Sequence, residues 1–207
     1  MLANVRLKAK WFLVPILVLT VYLILFVFVF RPGAQIVEQF RRNCVQQMTT
    51  WLPLMSFWWL SLFVSDYFVR GWNELLNVYG SNKRFVMQKI LCMMVYLLYV
   101  FLMFEILNSG IGVEQWVLAL LLCETLAMGS LFILISYGLK NTGATILCLV
   151  AYSVHLNFFD SFGYFDILSI YPVDSMTDHE IKKKILLCFG MMIVSTPFWG
   201  MRLKKRS

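Results

Sequence analysis

Little in this chain can do covalent chemistry. Histidine occurs only at His155 and His179 in 207 residues, and charged side chains make up just 14%. No G-x-S-x-G, no H-E-x-x-H and no paired acidic motif is present, so hydrolysis by a serine nucleophile or a bound metal has no foothold. The turn Gly80-Ser81-Asn82-Lys83-Arg84 lacks the G-x-x-x-x-G-K-S/T spacing that aims backbone donors at phosphates, which argues against ATP hydrolysis by this chain alone. The 5 cysteines include no C-x-x-C. Cys92, Cys123, Cys148 and Cys188 fall in apolar runs, where a thiol behaves as a small hydrophobe, and Cys44 stands alone, so disulfides and a zinc site are not expected. Long polar segments are missing as well. Independent domains rarely fall below about 50 residues, and nothing of that size remains once the apolar runs are set aside, so residues 1–207 read as a single domain.

What is abundant is apolar sequence: 60% of residues are hydrophobic, 16% aromatic, and the mean hydropathy is +0.75. Trp11 to Phe30 carries no charge, and at about 1.5 Å per residue such a run matches the roughly 30 Å hydrocarbon thickness of a bilayer. Only a helix satisfies its own backbone there. Six such spans are expected, over about residues 11–30, 49–65, 87–108, 113–137, 142–160 and 185–201, giving an all-α integral membrane protein. Arg6, Lys8 and Lys10 precede the first run as in a signal peptide, but the run is too long and no A-x-A site follows, so it reads as an uncleaved span.

The net charge of +7 sits at span ends rather than in one stripe, which points to anionic lipid headgroups and away from nucleic acid. With both termini inside, Arg6, Lys8, Lys10, Arg70, Lys83, Arg84, Lys89, Lys140, Arg202, Lys204, Lys205 and Arg206 face the cytoplasm, twelve of the 18 basic residues. Asp160, Asp166, Asp174, Asp178 and Glu180 gather in the last outer loop. Residues 31–50 fit less well: they carry Arg31, Arg41 and Arg42, while Ile36, Phe40, Cys44 and Met48 recur like one helix face. Either the first span continues through them or they form a helix along the interface. Between residues 158 and 172, aromatic and aliphatic residues interrupted by Asp160, Gly163, Asp166 and Pro172 suit either a re-entrant hairpin before the last span or an aromatic belt.

Ionisable groups inside spans mark candidate sites, since an ionised carboxylate at mid-depth costs at least about 2.5 kcal/mol. Glu124 lies about mid-way along the fourth span and needs a partner or a wet cavity. His155 on the fifth span and Glu105 on the third are the candidates, and the three together form a candidate translocation path. The bland alternative is a protonated Glu124 packed at a subunit contact. Between the second and third spans, Asp66, Arg70 and Glu74 fall four apart on one helix face, while Phe68, Trp72, Leu75 and Leu76 cover another. Tyr79-Gly80-Ser81 ends that helix, and Lys83, Arg84 and Lys89 lead into the next span. Alone, this is a short amphipathic helix lying on the cytoplasmic headgroups.

The order of an acidic residue, Arg-Gly, Glu-Leu-Leu, a small-residue turn, a basic pair and a lysine entering a span resembles the loop between the second and third spans of ABC-2 type transporter permeases. Here these are Asp66, Arg70, Gly71, Glu74, Leu75, Leu76, Ser81, Lys83, Arg84 and Lys89. The six-span layout and the short Gly138-Leu139-Lys140-Asn141 turn extend the resemblance. It implies that Asp66, Phe68, Arg70, Gly71, Trp72, Glu74, Leu75 and Leu76 form a coupling helix on a separate phosphate-loop ATPase, which would bind the ATP and magnesium. A second permease copy or paralogue, membrane lipid as solvent, no cofactor or catalytic residue of its own, and a multi-pass location in a bacterial plasma membrane are implied with it. The implied activity is ATP-driven export of an amphipathic or lipid-like cargo, such as an antimicrobial peptide. The rival expectation is a non-transporting immunity, scaffold or assembly protein.

Overall fold

A computed structural model describes residues 2–28, 37–68, 82–158 and 178–200, and side chains within 13–28, 39–61, 64, 86–152 and 182–197. Among the described residues the chain is six helices with no strand: α1 Leu2–Phe28, α2 Val37–Phe68, α3 Asn82–Ile111, α4 Gln115–Leu139, α5 Thr142–Phe158 and α6 Asp178–Gly200. Two of them are long and apolar enough to cross a membrane, over Val86–Ile111 and Gln115–Leu139; Leu13–Phe28 and Thr142–Tyr152 are shorter apolar helices.

The described part of the 31–50 segment belongs to neither alternative read from the sequence. Residues 37–50 are the first half of α2, continuous with the apolar half that follows. The four-residue rhythm was a true helix face: Cys44 and Met48 are buried and Phe40 packs beside them. Pro53 sits inside α2 and lacks an N–H to donate to the preceding turn.

Local chemistry sets the two tight turns. Gly112 takes φ +70°, the left-handed geometry that ends α3, and Val113 N–H donates to Asn108 Oδ1 at 2.5 Å. Lys140 closes α4 at φ 54°, and Asn141 Oδ1 accepts from the N–H groups of Gly143 and Ala144, capping α5. Both pairs of consecutive helices are therefore antiparallel neighbours.

Packing follows a simple plan. Helices α2, α3 and α4 all touch one another, with α1 seated against α2 and α3, α5 against α2 and α4, and α6 against α3 and α4. One apolar cluster joins Leu23, Val27, Met48, Val100, Phe104, Leu107 and Leu121; a second joins Phe57, Leu60, Val64, Met93, Phe132 and Leu149. At the crossing of the inner three, Gly129 lets the backbone of α4 approach: a Cβ there would stand 3.0 Å from Leu60 Cδ1 and from Met93 Cε. Tyr96 donates to the Leu52 carbonyl at 2.6 Å and Trp59 to the Cys92 carbonyl at 2.9 Å, fixing α2 against α3 in antiparallel register.

The outward faces are apolar. Leu147 is 71% exposed, Leu186 72% and Ile193 70%, with Leu17, Val18, Leu91, Met94 and Leu98 exposed in the same way. Few soluble monomers leave so much large apolar surface uncovered.

Candidate functional site: two buried charged contacts on the fourth helix

Helix α4 is almost wholly apolar, and its buried side carries Glu124, Thr125, Ser130, Ser136 and Tyr137 among hydrophobic residues. Glu124 is 2% exposed and forms an ion pair with Lys184 of α6, itself 7% exposed. Thirteen residues further along α4, about 20 Å at the helical rise, Tyr137 Oη accepts a hydrogen bond from Lys89 Nζ of α3 at 2.7 Å. The same ammonium stands 4.7 Å from the centroid of the Tyr137 ring. Lys89 is 1% exposed. The two contacts thus tie α4 to α6 at one level and to α3 at another.

The chain places its ammonium groups there by helical periodicity. On α3 the buried residues Lys89, Cys92, Met93, Tyr96, Val100, Met103, Phe104 and Leu107 step by three and four, so Lys89 continues the core stripe by one turn. On α6 the buried positions Lys184, Cys188 and Ser195 do likewise, while Lys182 and Lys183 point away. A charge so placed is tolerated only when paired, because an ion loses several kcal/mol of hydration on burial and regains it from a close counter-charge.

The sequence reading sought the partner of Glu124 on the third or fifth span. It comes from α6. Glu105 is half-buried on α3 and takes no hydrogen bond or ion pair among the described residues. His155 lies on α5 with its side chain outside the described residues, so the path proposed for Glu105, Glu124 and His155 is seen only at Glu124. Asp66 and Phe68 fall in the last turn of α2, their side chains likewise undescribed, and Arg70, Gly71, Trp72, Glu74, Leu75 and Leu76 lie outside the described residues. So does the 159–177 segment, with most of the expected re-entrant stretch.

The chain matches no protein-family model, and no curated protein or solved structure matches it. Its chemistry therefore has to be argued from its own residues. Lys89, expected at the cytoplasmic surface, is instead a core residue, and Lys184 is another. Among the described residues no group of three His, Cys, Asp or Glu side chains could hold a metal ion. What the arrangement offers is a fixed carboxylate–ammonium pair and a fixed ammonium–phenol pair, each bridging helices inside an apolar surround.

Proposed function

We propose that the chain is a six-span, multi-pass protein of a bacterial plasma membrane, with both termini inside, acting as the permease subunit of an ABC-2 type ATP-driven exporter. The observation that carries the membrane part is the inversion of ordinary polarity: ionisable groups sit between the helices while Leu147, Leu186 and Ile193 face outward. Intramembrane ionisable groups that face a bundle interior characteristically mark transport paths or helix contacts. With α4 entering from the outer side, Glu124 and Lys184 fall at matching depth, since α4 and α6 then run in the same direction and each residue lies within about three turns of its helix start.

Support for the ATPase partner comes from the loop Asp66 to Lys89 and its resemblance to a coupling helix. ATP-driven closure of two ATPase subunits would shift that helix on each of two permeases and alternate the path between them. The cargo class proposed is amphipathic or lipid-like.

One observation favours a second reading, a non-transporting immunity, scaffold or assembly protein: Glu124 and Lys184 close on each other in a packed core, and a pair that fixes helix arrangement requires no cargo. Co-purification separates the two. A phosphate-loop ATPase should accompany the wild-type chain, and Trp72→Ala with Glu74→Ala should weaken that association about thirtyfold, the effect of losing a 2 kcal/mol anchor. Full association and full transport by the double variant would remove the coupling-helix reading.

A further inference from the structure

The apolar stretch Val86–Ile111 of α3 is about 39 Å long by helical rise, more than the roughly 30 Å of a hydrocarbon layer. Glu105, Asn108 and Ser109 interrupt its last two turns, and Ser109 is exposed. Other helices carry polar groups at the same level. The hydrogen bonds from Tyr96 to the Leu52 carbonyl and from Trp59 to the Cys92 carbonyl set Gln46 of α2 opposite about Glu105. A Cβ on Gly110 would meet Val27 and Phe28 of α1, so Tyr22, about 9 Å below Phe28, stands at that height too. Tyr22 and Trp51 both donate to Gln47 Oε1, at 3.3 and 2.8 Å, and both rings are exposed. Tyrosine and tryptophan placed in this way belt the surface of a bilayer. On α6, Lys182 and Lys183 are exposed within about one turn of the Glu124–Lys184 pair.

Charge obeys the same boundary. Among the described side chains the exposed charged residues are Arg42, Glu114, Lys182 and Lys183 towards this side and Lys140 at the other. Along α3 the distance from Glu105 to Arg84 is about 31 Å, and along α4 from Leu120 to Lys140 about 30 Å. The Lys89–Tyr137 contact keeps those two helices in step. Within the band the outward side chains are apolar, among them Leu91, Met94, Leu98, Leu147, Leu186 and Ile193.

We propose that the outer edge of the hydrocarbon crosses the molecule at the level of Tyr22, Gln46, Glu105 and Leu120, so that the helix ends beyond it stand among headgroups and in water. Lipid headgroups are thus the partner of this belt. Water and headgroups there satisfy the Asn43 and Gln46 carboxamides, which hydrocarbon could not. Leu25 and Ile106, also exposed, lie within about 5 Å of the level, inside a headgroup layer about 5–7 Å deep. The Glu124–Lys184 pair then lies about one turn beneath the headgroups rather than at mid-depth. The inference rests on the bilayer reading and on neither the ATPase nor a second copy.

The test is alkylation of the full chain in native membranes, opened so that a bilayer-impermeant maleimide meets both faces. Single cysteines are placed in a Cys148→Ser background that removes the exposed native thiol. Thiols react as thiolates, which water supports and hydrocarbon does not. Asn43→Cys and Ser109→Cys should react as fast as Glu114→Cys at the turn between α3 and α4, while Leu98→Cys should not rise above the background. Asn43→Cys and Ser109→Cys shielded like Leu98→Cys, with Glu114→Cys reactive, would move the edge out to Ile111 and overturn the proposal. Reaction at only one of Asn43→Cys and Ser109→Cys would mean a local crevice in place of a common level, which also overturns it. Silence at all four positions would bury the whole end of the bundle, with the same consequence. Reaction at all four would sink the bilayer reading itself.

Discussion

Removing one member of the Glu124–Lys184 pair should be far more damaging than removing both. Lys184→Met keeps the volume and the helix propensity of α6 but leaves the Glu124 carboxylate, 2% exposed, without its counter-charge. At salt-bridge separation and an effective dielectric near 20, the lost attraction is about 4 kcal/mol. Breaking a buried pair from one side costs about 3–5 kcal/mol, consistent with that figure. Glu124→Leu with Lys184→Met replaces both ions by apolar groups and should return to within about 1 kcal/mol of the wild type, or exceed it. The assay is a double-mutant cycle on unfolding in detergent micelles, with the coupling energy read as the departure from additivity. A coupling of at least about 2 kcal/mol is expected. If Lys184→Met alone costs under about 0.5 kcal/mol, or the double variant equals the sum of the singles, the pair does not hold α6 to α4.

Other expectations follow from the same packing. Tyr137→Phe removes one acceptor of Lys89 and should destabilise by about 1.5–3 kcal/mol in the same unfolding assay, the range for hydrogen bonds to charged groups. Gly129→Val should cost at least about 1–3 kcal/mol through overpacking against Leu60 and Met93, whereas Gly138→Ala, whose Cβ meets nothing within 4 Å, should be neutral or gain up to about 1 kcal/mol. Ser136 is fully buried with no partner for its hydroxyl among the described residues, so Ser136→Ala should stabilise by about 1 kcal/mol; a loss of that size would show an unseen partner. Cysteine labelling from either side should place Ser81 and Ser207 in the cytoplasm and Asp174 outside, and Ser81 outside would remove the coupling-helix reading.

The apolar helices were readable because an uninterrupted hydrophobic run has one solution in a bilayer, and among the described residues α3 and α4 are long and apolar enough to cross one. The sequence leaves the first half of α2 open between two readings because Arg41, Arg42, Gln46 and Gln47 depress its hydropathy, although the Cys44–Met48 face is visible in it. A cost at Glu124 could be read from its depth alone. Its partner could not, because Lys184 ends a run of three lysines that looks like a solvated helix start. Only its phase with Cys188 and Ser195 reveals which of the three turns inward, and that signal was in the sequence. Lys89 was hidden in the same manner by Lys83 and Arg84, which made it look like one more flanking charge.

The Glu124–Lys184 pair joins α4 to α6, the last of the described helices. During synthesis the carboxyl group of Glu124 is therefore made well before Lys184 exists, and a nascent chain ending at α5 holds it without the ammonium that pairs with it. The contact between α4 and α6 can therefore close only once synthesis has reached Lys184, so this part of the packing is the work of the completed chain.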